Sequence, residues 1–282
     1  MRQFILDRDL DESGSVMLSG RDYKYLAQVL RVQPGNQIPV RMKNGILADF
    51  VVESVSKNTL VLKKTDSAAV KAVRNESSSG TVGGVRAETL EKNTAFCRIW
   101  LLQCMPKPAR LDTIIRQAVE TGVERVFPVV SDRSVYGRAK TVEKKDRWSR
   151  IVKEARQQSA SPVETVVETP AEMTVVLERI KTLLEEEKSL HPDFSPVSVV
   201  LTETCLEKRS LHGSLCGKPD LVVIAVGSEG GISPSEMQLL RSSDFLPIHF
   251  ETNVLRTETA AIYGISAVQT IMTEFGSWRF RE

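Results

Sequence analysis

Six consecutive apolar residues, Leu221-Val-Val-Ile-Ala-Val226, run straight into Gly227-Ser-Glu-Gly-Gly231 and then Ile232-Ser-Pro-Ser-Glu236. A short run without a polar break reads as a strand buried on both faces, the kind found in parallel sheets covered by helices. The three glycines of Gly227-Ser-Glu-Gly-Gly231 allow positive φ and let the backbone approach a flat ligand. Ser233-Pro-Ser-Glu236 has the capping-box pattern with proline at the first helical position, so a helix starts there. Strand, irregular turn and helix start, in that order, place the turn at the carboxyl end of the strand, where open α/β sheets bind their ligands.

A second element of the same kind follows. Phe245-Leu-Pro-Ile-His-Phe250 reads as a strand, Glu251-Thr-Asn253 as a turn, and Val254-Leu-Arg-Thr-Glu-Thr-Ala260 as the entry to a helix spanning about 256–274. Thr257 or Thr259 can cap that helix, and Glu258 suits the positive end of its dipole. Arg256 does not suit that end, which points to a partner elsewhere; a structural salt bridge is the plain alternative. Ala260, Ala261, Gly264 and Ala267 form a strip of small residues on the helix. Such a strip lets another helix approach closely, from the same chain or a second subunit, although core packing within the chain explains it as well.

Strand and helix patterns alternate through the whole of 95–282. Strands are expected at 96–103, 123–130, 163–168, 197–201, 221–226 and 245–250. Between them, Leu111, Ile114, Ile115, Ala118 and Val119 fall at helical spacing before the stop at Gly122, and further helices are expected over 142–159 and 171–187. This alternation implies an α/β domain with a parallel sheet covered on both faces. Residues 1–65 differ. They read as a small β-rich barrel, with strands at 46–55 and 59–63 and a type I′ hairpin signal at Asn44-Gly45. One helix interrupts it, starting near Ser19 or Asp22, with Leu26, Val29 and Leu30 on one side and Pro34-Gly35 beyond its end. Residues 66–94 are small, polar and charged, too poor in apolar side chains to offset their ordering entropy, and read as a linker or mobile loop.

Composition excludes little. A net charge of +2 does not announce a nucleic-acid binder, although basic residues can still gather on one face. No apolar run approaches a membrane span and the start has no long apolar signal segment, so a cytoplasmic protein without a membrane partner is expected. Cys97 and Cys104 have apolar neighbours and read as buried thiols. Cys205, His212 and Cys216 match no common zinc spacing, so no metal is expected. The glycine turn lacks the lysine of a P-loop and is not Gly-x-Gly-x-x-Gly, and Glu229 would repel a pyrophosphate. Both points count against a dinucleotide-dependent enzyme on an ordinary doubly wound sheet.

The two loops resemble those of the ribosomal small-subunit methyltransferase E family of knotted SPOUT methyltransferases. That family has Gly-Pro-Glu-Gly-Gly where this chain has Gly227-Ser-Glu-Gly-Gly231, and Leu-Gly-x-Arg-Ile-Leu-Arg-x-Glu-Thr-Ala where it has Phe250-Glu-Thr-Asn-Val-Leu-Arg-Thr-Glu-Thr-Ala260. The likeness extends to Met1-Arg-Gln-Phe, Tyr25-Leu-Ala-Gln-Val-Leu-Arg31, the Lys107 to Gly122 helix, Ser131-Asp-Arg-Ser134 and Glu154-Ala-Arg-Gln-Gln-Ser159. Departures are Tyr25 for His, Gln117 for Lys, Gln157 for Glu, Ser161 for Arg, and Glu251 and Asn253 for the Gly and Arg of the second loop.

The resemblance implies a PUA-like RNA-binding barrel over 1–65 and a SPOUT domain with a trefoil knot over 95–282. It implies S-adenosylmethionine-dependent methylation of N3 of a uridine in 16S ribosomal RNA, naked or in the small subunit, by a homodimer paired through the knotted region. Arg256 would stabilise charge on the uracil oxygens, and Glu258 would orient Arg256 or accept a proton. The cofactor would meet the backbone of Thr202, Gly227, Gly230, Gly231, Ile232, Ile248, His249, Phe250 and Leu255, and would also meet Thr257, Thr259 and Ala260. RNA phosphates would meet Arg2, Arg31, Lys107, Arg110 and Arg133, with binding that weakens in salt. The competing readings are a non-catalytic RNA-binding protein that keeps the knot, motivated by Glu251, and the same chemistry on a different rRNA or tRNA target.

Overall fold

The computed structural model describes residues 3–65, 97–134 and 145–275. The chain divides into two compact units, Met1–Ala95 and Phe96–Glu282. The stretch 66–94 and Arg2 lie outside the described residues.

In the first unit, β1 (Phe4–Ile5), β2 (Ser15–Ser19), β3 (Gln37–Arg41), β4 (Leu47–Val55) and β5 (Thr59–Lys64) form one sheet in the order β1-β3-β4-β5-β2. Phe4, Leu18, Leu26, Val40, Phe50, Leu60 and Leu62 make its fully buried core. Two local expectations are corrected. The helix α1 (Gly20–Tyr23) passes into a π-helical segment, Lys24–Val29, in which Leu30 N donates to Tyr25 O, five residues back. The wider turn keeps Leu26 inside but carries Val29 out to 68% exposure. The hairpin at Gly45 is not type I′, because Asn44 keeps a negative φ while Gly45 sits at φ +82°. Gly45 N donates to Met42 O and Met42 N to Ile46 O, which is a type I turn closed by a left-handed glycine.

Among its described residues the second unit holds seven strands, all parallel: β6 (Arg98–Cys104), β7 (Arg125–Val130), β8 (Val166–Val167), β9 (Ala171–Glu172), β10 (Pro196–Thr202), β11 (Leu221–Val226) and β12 (Phe245–His249). The order is β12-β10-β11-β6-β7-β8, with β9 also against β7. The helices are α2 (Pro108–Glu120), α3 (Lys145–Ser159), α4 (Met173–Leu190), α5 (Leu211–Leu215), α6 (Pro234–Ser242) and α7 (Thr257–Glu274). Alternate residues of the central strands fill two cores. Trp100, Leu102, Val223 and Ala225 face Val176, Ile180 and Leu183 of α4 and Leu240 of α6. Ile99, Leu101, Val222 and Ile224 face Ile114 and Ala118 of α2 and Ala261, Ile265 and Val268 of α7. The expected α/β class with a covered parallel sheet is what the chain adopts.

Differences are local. The strand expected over 163–168 shortens to β8, and the helix expected from 171 starts at Met173, because Ala171 and Glu172 pair with Val129 and Val130. The short α5 was not anticipated; Ser210 caps it by accepting from Gly213 N. Gly264, in the small-residue strip of α7, lies against the sheet: a Cβ there would stand 2.7 Å from Leu201 Cδ1 and 3.6 Å from Ile224 Cγ2, so a larger residue would require the Leu201 side chain to move.

Candidate active site

The register aligns the carboxyl ends of three neighbouring strands, with Val200 beside Ala225 and Thr202 beside His249. The loop after β11 fills one side of that end. Gly231 N donates to Ser228 O at 3.0 Å, and Gly231 sits at φ +74°. A Cβ on Gly227 would stand 3.0 Å from the carbonyl carbon of Gly231, so the loop folds back on itself too tightly for a side chain there. The expected capping box is present: Ser233 Oγ accepts from Glu236 N, and Glu236 Oε2 accepts from Ser233 N at 2.9 Å.

Residues 131–134 strap this loop from outside. Asp132 N donates to Glu236 Oε1 at 2.9 Å, while the Asp132 carboxylate accepts from Ser233 Oγ at 2.6 Å and Ser235 Oγ at 3.1 Å. Those hydroxyls, Ser233 first, hold the Asp132 carboxyl below the usual aspartate range. Arg133 Nη1 donates to Gly230 O at 2.7 Å, and Ser228 Oγ donates to Arg133 O at 3.3 Å.

The loop after β12 is more open. Thr252 N donates to Phe250 O, and Glu251, Thr252, Asn253 and Val254 are exposed. Arg256 is the residue before α7, and no side chain caps the helix. The two threonines therefore do not act as expected: Thr259 is exposed, and the buried Thr257 turns its hydroxyl toward the other loop. Thr257 Oγ1 donates to Gly227 O at 2.7 Å and accepts from Gln103 Nε2 at 3.0 Å, and Gln103 Nε2 also reaches Gly227 O at 3.2 Å. The two loops are thus stitched together over the end of β6. Between them lies a cleft of about 570 Å³, within the usual range for small-molecule sites. Its lining includes Arg256 but not Glu251.

A charged cluster spans both loops. Arg110 Nη1 stands 3.3 Å from Glu229 Oε1 and 3.7 Å from Glu258 Oε2, and Lys107 N donates to Glu229 Oε1 at 3.1 Å. Glu258 therefore pairs with Arg110 and not with Arg256, contrary to the orienting role expected for it. The exposed Arg256 guanidinium has no ion-pair partner among the described residues.

Residues 92–269 match the family model of the RNA methyltransferase domain. The chain belongs to this family. Residues 18–65 match the RNA methyltransferase PUA domain. The Bacillus subtilis (strain 168) ribosomal RNA small subunit methyltransferase E is 25% identical over 276 residues, covering 93% of this chain and 92% of the relative. The Aquifex aeolicus protein of that name is 31% identical over 156 residues, covering 55% of this chain and 61% of the relative. Among solved structures, the Neisseria gonorrhoeae ribosomal RNA small subunit methyltransferase E bound to S-adenosyl methionine shares the fold. Its TM-score is 0.73 at 22% identity, with 96% of this chain and 98% of that one covered.

Of the cofactor contacts expected in this RNA methyltransferase domain, Thr202, Gly227, Gly231, Ile232, His249, Phe250, Leu255, Thr257 and Ala260 line the cleft. Gly230, Ile248 and Thr259 do not. Gly230 faces the Arg133 stem, Ile248 is buried in the core with its carbonyl accepting from Thr202 Oγ1, and Thr259 faces solvent. Of the expected RNA contacts, Arg110 and Arg133 line the cleft, but each already holds loop groups. Lys107 is exposed beside them, and Arg31 is exposed in the first unit.

Sequence reasoning missed Gln103 and Asp132. The signal for Gln103 was a lone amide at the end of an apolar strand; Asp132 lay in the family-like Ser131-Asp-Arg-Ser134 segment, which gave it no role of its own. Burial pushes the Cys97 thiol up to about 11 and Cys104 up to about 12, which fits inert thiols, although Cys97 is only partly buried. Among the described residues no group of three or more His, Cys, Asp or Glu is placed to hold a metal ion, and none of the described helices is long and apolar enough to cross a membrane.

Proposed function

We propose that this chain is an S-adenosylmethionine-dependent methyltransferase that modifies N3 of a uridine in 16S ribosomal RNA, acting in the cytoplasm as a homodimer paired through a knotted C-terminal region. The observation that carries this reading is the convergence of the glycine loop and the segment before α7 on one cleft, with the exposed guanidinium of Arg256 in its lining. The names of the Bacillus subtilis and Aquifex aeolicus relatives support the ribosomal RNA substrate, and the Neisseria gonorrhoeae structure supports the cofactor.

The residues present fit such a cofactor. Glycines at 227 and 231 leave bare backbone on one wall, and the cleft size suits an adenosyl ligand. Thr202, Gly227, Ile232, His249, Phe250 and Leu255 would hold it. When bound, S-adenosylmethionine supplies a methyl group on a sulfonium that is already a good leaving group. The protein then has to align the uracil and favour loss of its N3 proton. Arg256 serves the second of these needs, because its fixed donors stabilise the negative charge that spreads onto the uracil oxygens as the proton departs. Glu258 and Arg110 act on the frame, tying α7 to the glycine loop.

The test has two parts. Wild-type protein is titrated calorimetrically with S-adenosylmethionine, and methyl transfer to 16S rRNA and to small subunits from cells lacking this protein is mapped by mass. Saturable binding and one methylated uridine are expected. Arg256→Ala should lower turnover by roughly 10²–10³-fold while leaving cofactor affinity in place. Absence of cofactor binding to wild type would favour the RNA-binding reading, and unchanged turnover would remove Arg256 from the mechanism.

A further inference from the structure

We propose that Gln103 is a positioning residue for the cofactor, setting the distance between the two walls of the cleft without touching the ligand. This role rests on the S-adenosylmethionine reading above and adds a residue which that reading does not use.

Gln103 is the penultimate residue of β6 and is fully buried. Its single amide nitrogen faces four oxygens: Cys104 O at 2.9 Å, Thr257 Oγ1 at 3.0 Å, Gly227 O at 3.2 Å and Val226 O at 3.5 Å. Two of these belong to the glycine loop and its strand, and one to the first residue of α7. Its Oε1 is buried with no partner among the described residues. An orphaned buried carbonyl is unfavourable, and Ile99, Leu101 and Leu102 show that this strand accommodates aliphatic side chains. A glutamine here is explained by its donors and not by its packing.

What the donors do follows from hydrogen count. The Thr257 hydroxyl has one proton, and it goes to Gly227 O. Its lone pairs remain free to turn unless something donates to them, and Gln103 Nε2 does so. The same amide also meets Gly227 O directly, so that carbonyl receives donors from both sides of the seam. Two amide protons serve these acceptors, Cys104 O among them, and the share directed at the seam links the Thr257 rotor to the Gly227 peptide. Gln103 does not line the cleft, whereas Gly227 and Thr257 do, so its influence on a ligand passes through them.

The experiment is a cycle of S-adenosylmethionine titrations on the full chain: wild type, Gln103→Leu, Thr257→Val and the double variant, each below its melting temperature. We expect each single change to weaken binding by about tenfold. The double variant should lose less than the product of the two single losses, because the Gln103–Thr257 hydrogen bond is already lost in each of them. Wild-type affinity in Gln103→Leu, or fully additive losses, overturns the proposal. Gln103→Glu decides the matter if the leucine variant does not fold. Its carboxyl, buried among oxygen acceptors, would keep its proton at neutral pH and offer one donor in place of two, and binding should weaken as alkali removes that proton; a flat pH profile overturns the role. No binding by wild type refutes the cofactor reading itself, whereas binding by wild type with indifferent variants refutes only Gln103.

Discussion

Among the described residues, the loop after β11 is tied down on three sides, whereas the loop after β12 is held where it begins and ends. Around Gly227–Gly231, Arg133 grips Gly230 O, Arg110 and Lys107 N grip Glu229, and the α6 capping box fixes the exit. Around 250–256, His249 Nδ1 contacts Thr202 O at 3.0 Å and Phe250 packs edge-on against Tyr263 at 5.0 Å, and Thr257 closes the far end. Between those anchors four consecutive residues face solvent, and Val254 is 75% exposed. One wall is thus organised before any ligand arrives. The other carries few contacts of its own, as expected of segments that adjust on binding.

The sharpest way to break this contrast is Gly227→Ala. The new methyl would meet Gly231 backbone at 3.0 Å, and backbone cannot swing aside as a flexible side chain does. Displacement of the preformed wall should weaken S-adenosylmethionine binding by roughly 10²-fold, measured by calorimetry; affinity within a factor of about two would show that this wall is not rigid. A smaller effect is expected from Arg110→Met, which leaves Glu229 and Glu258 without their shared cation. Because the pair is partly exposed, the loss should be about 1 kcal/mol in denaturant unfolding, and Glu229→Gln in the same background should recover part of it. Recovery of nothing would mean that the cluster has no energetic link across the loops. Least of all should follow from Glu251→Gly in the open loop. Its side chain lies outside the cleft lining, so stability should change by no more than about 0.5 kcal/mol and cofactor affinity hardly at all. A large gain in affinity would identify Glu251 as an obstacle and favour a protein that has lost productive binding.

Legibility in the sequence followed the range of the interaction responsible. Leu221–Val226 and the α6 capping box were readable residue by residue, because apolar runs and caps are local. The hairpin at Gly45 was readable as a turn but not as its type, since Asn-Gly serves more than one loop length. Val29 was misplaced because a π-helical segment breaks the helical spacing on which its assignment relied. At the cleft, eight of the nine expected residues that line it come from two motifs with strong local signals, and Thr202 comes from the end of β10. Gly230, Ile248 and Thr259 share those motifs but face elsewhere, which sequence adjacency cannot distinguish. The partner of Glu258 was also out of reach: Arg110 lies far away in the chain and meets it only because α2 and α7 cover the same face of the sheet.

What the amino-acid order decided alone was the kind of unit present: a β-rich segment, then alternating strands and helices, with two glycine- or polar-rich turns at strand ends. Those features depend on side-chain periodicity, backbone freedom and caps, all settled within a few residues. What only the tertiary structure decided was the order β12-β10-β11-β6, and with it the meeting of Gly227, Thr257 and Gln103 over one cleft. Parallel pairing joins strands that are distant along the chain, so no local pattern encodes which strand end will face which.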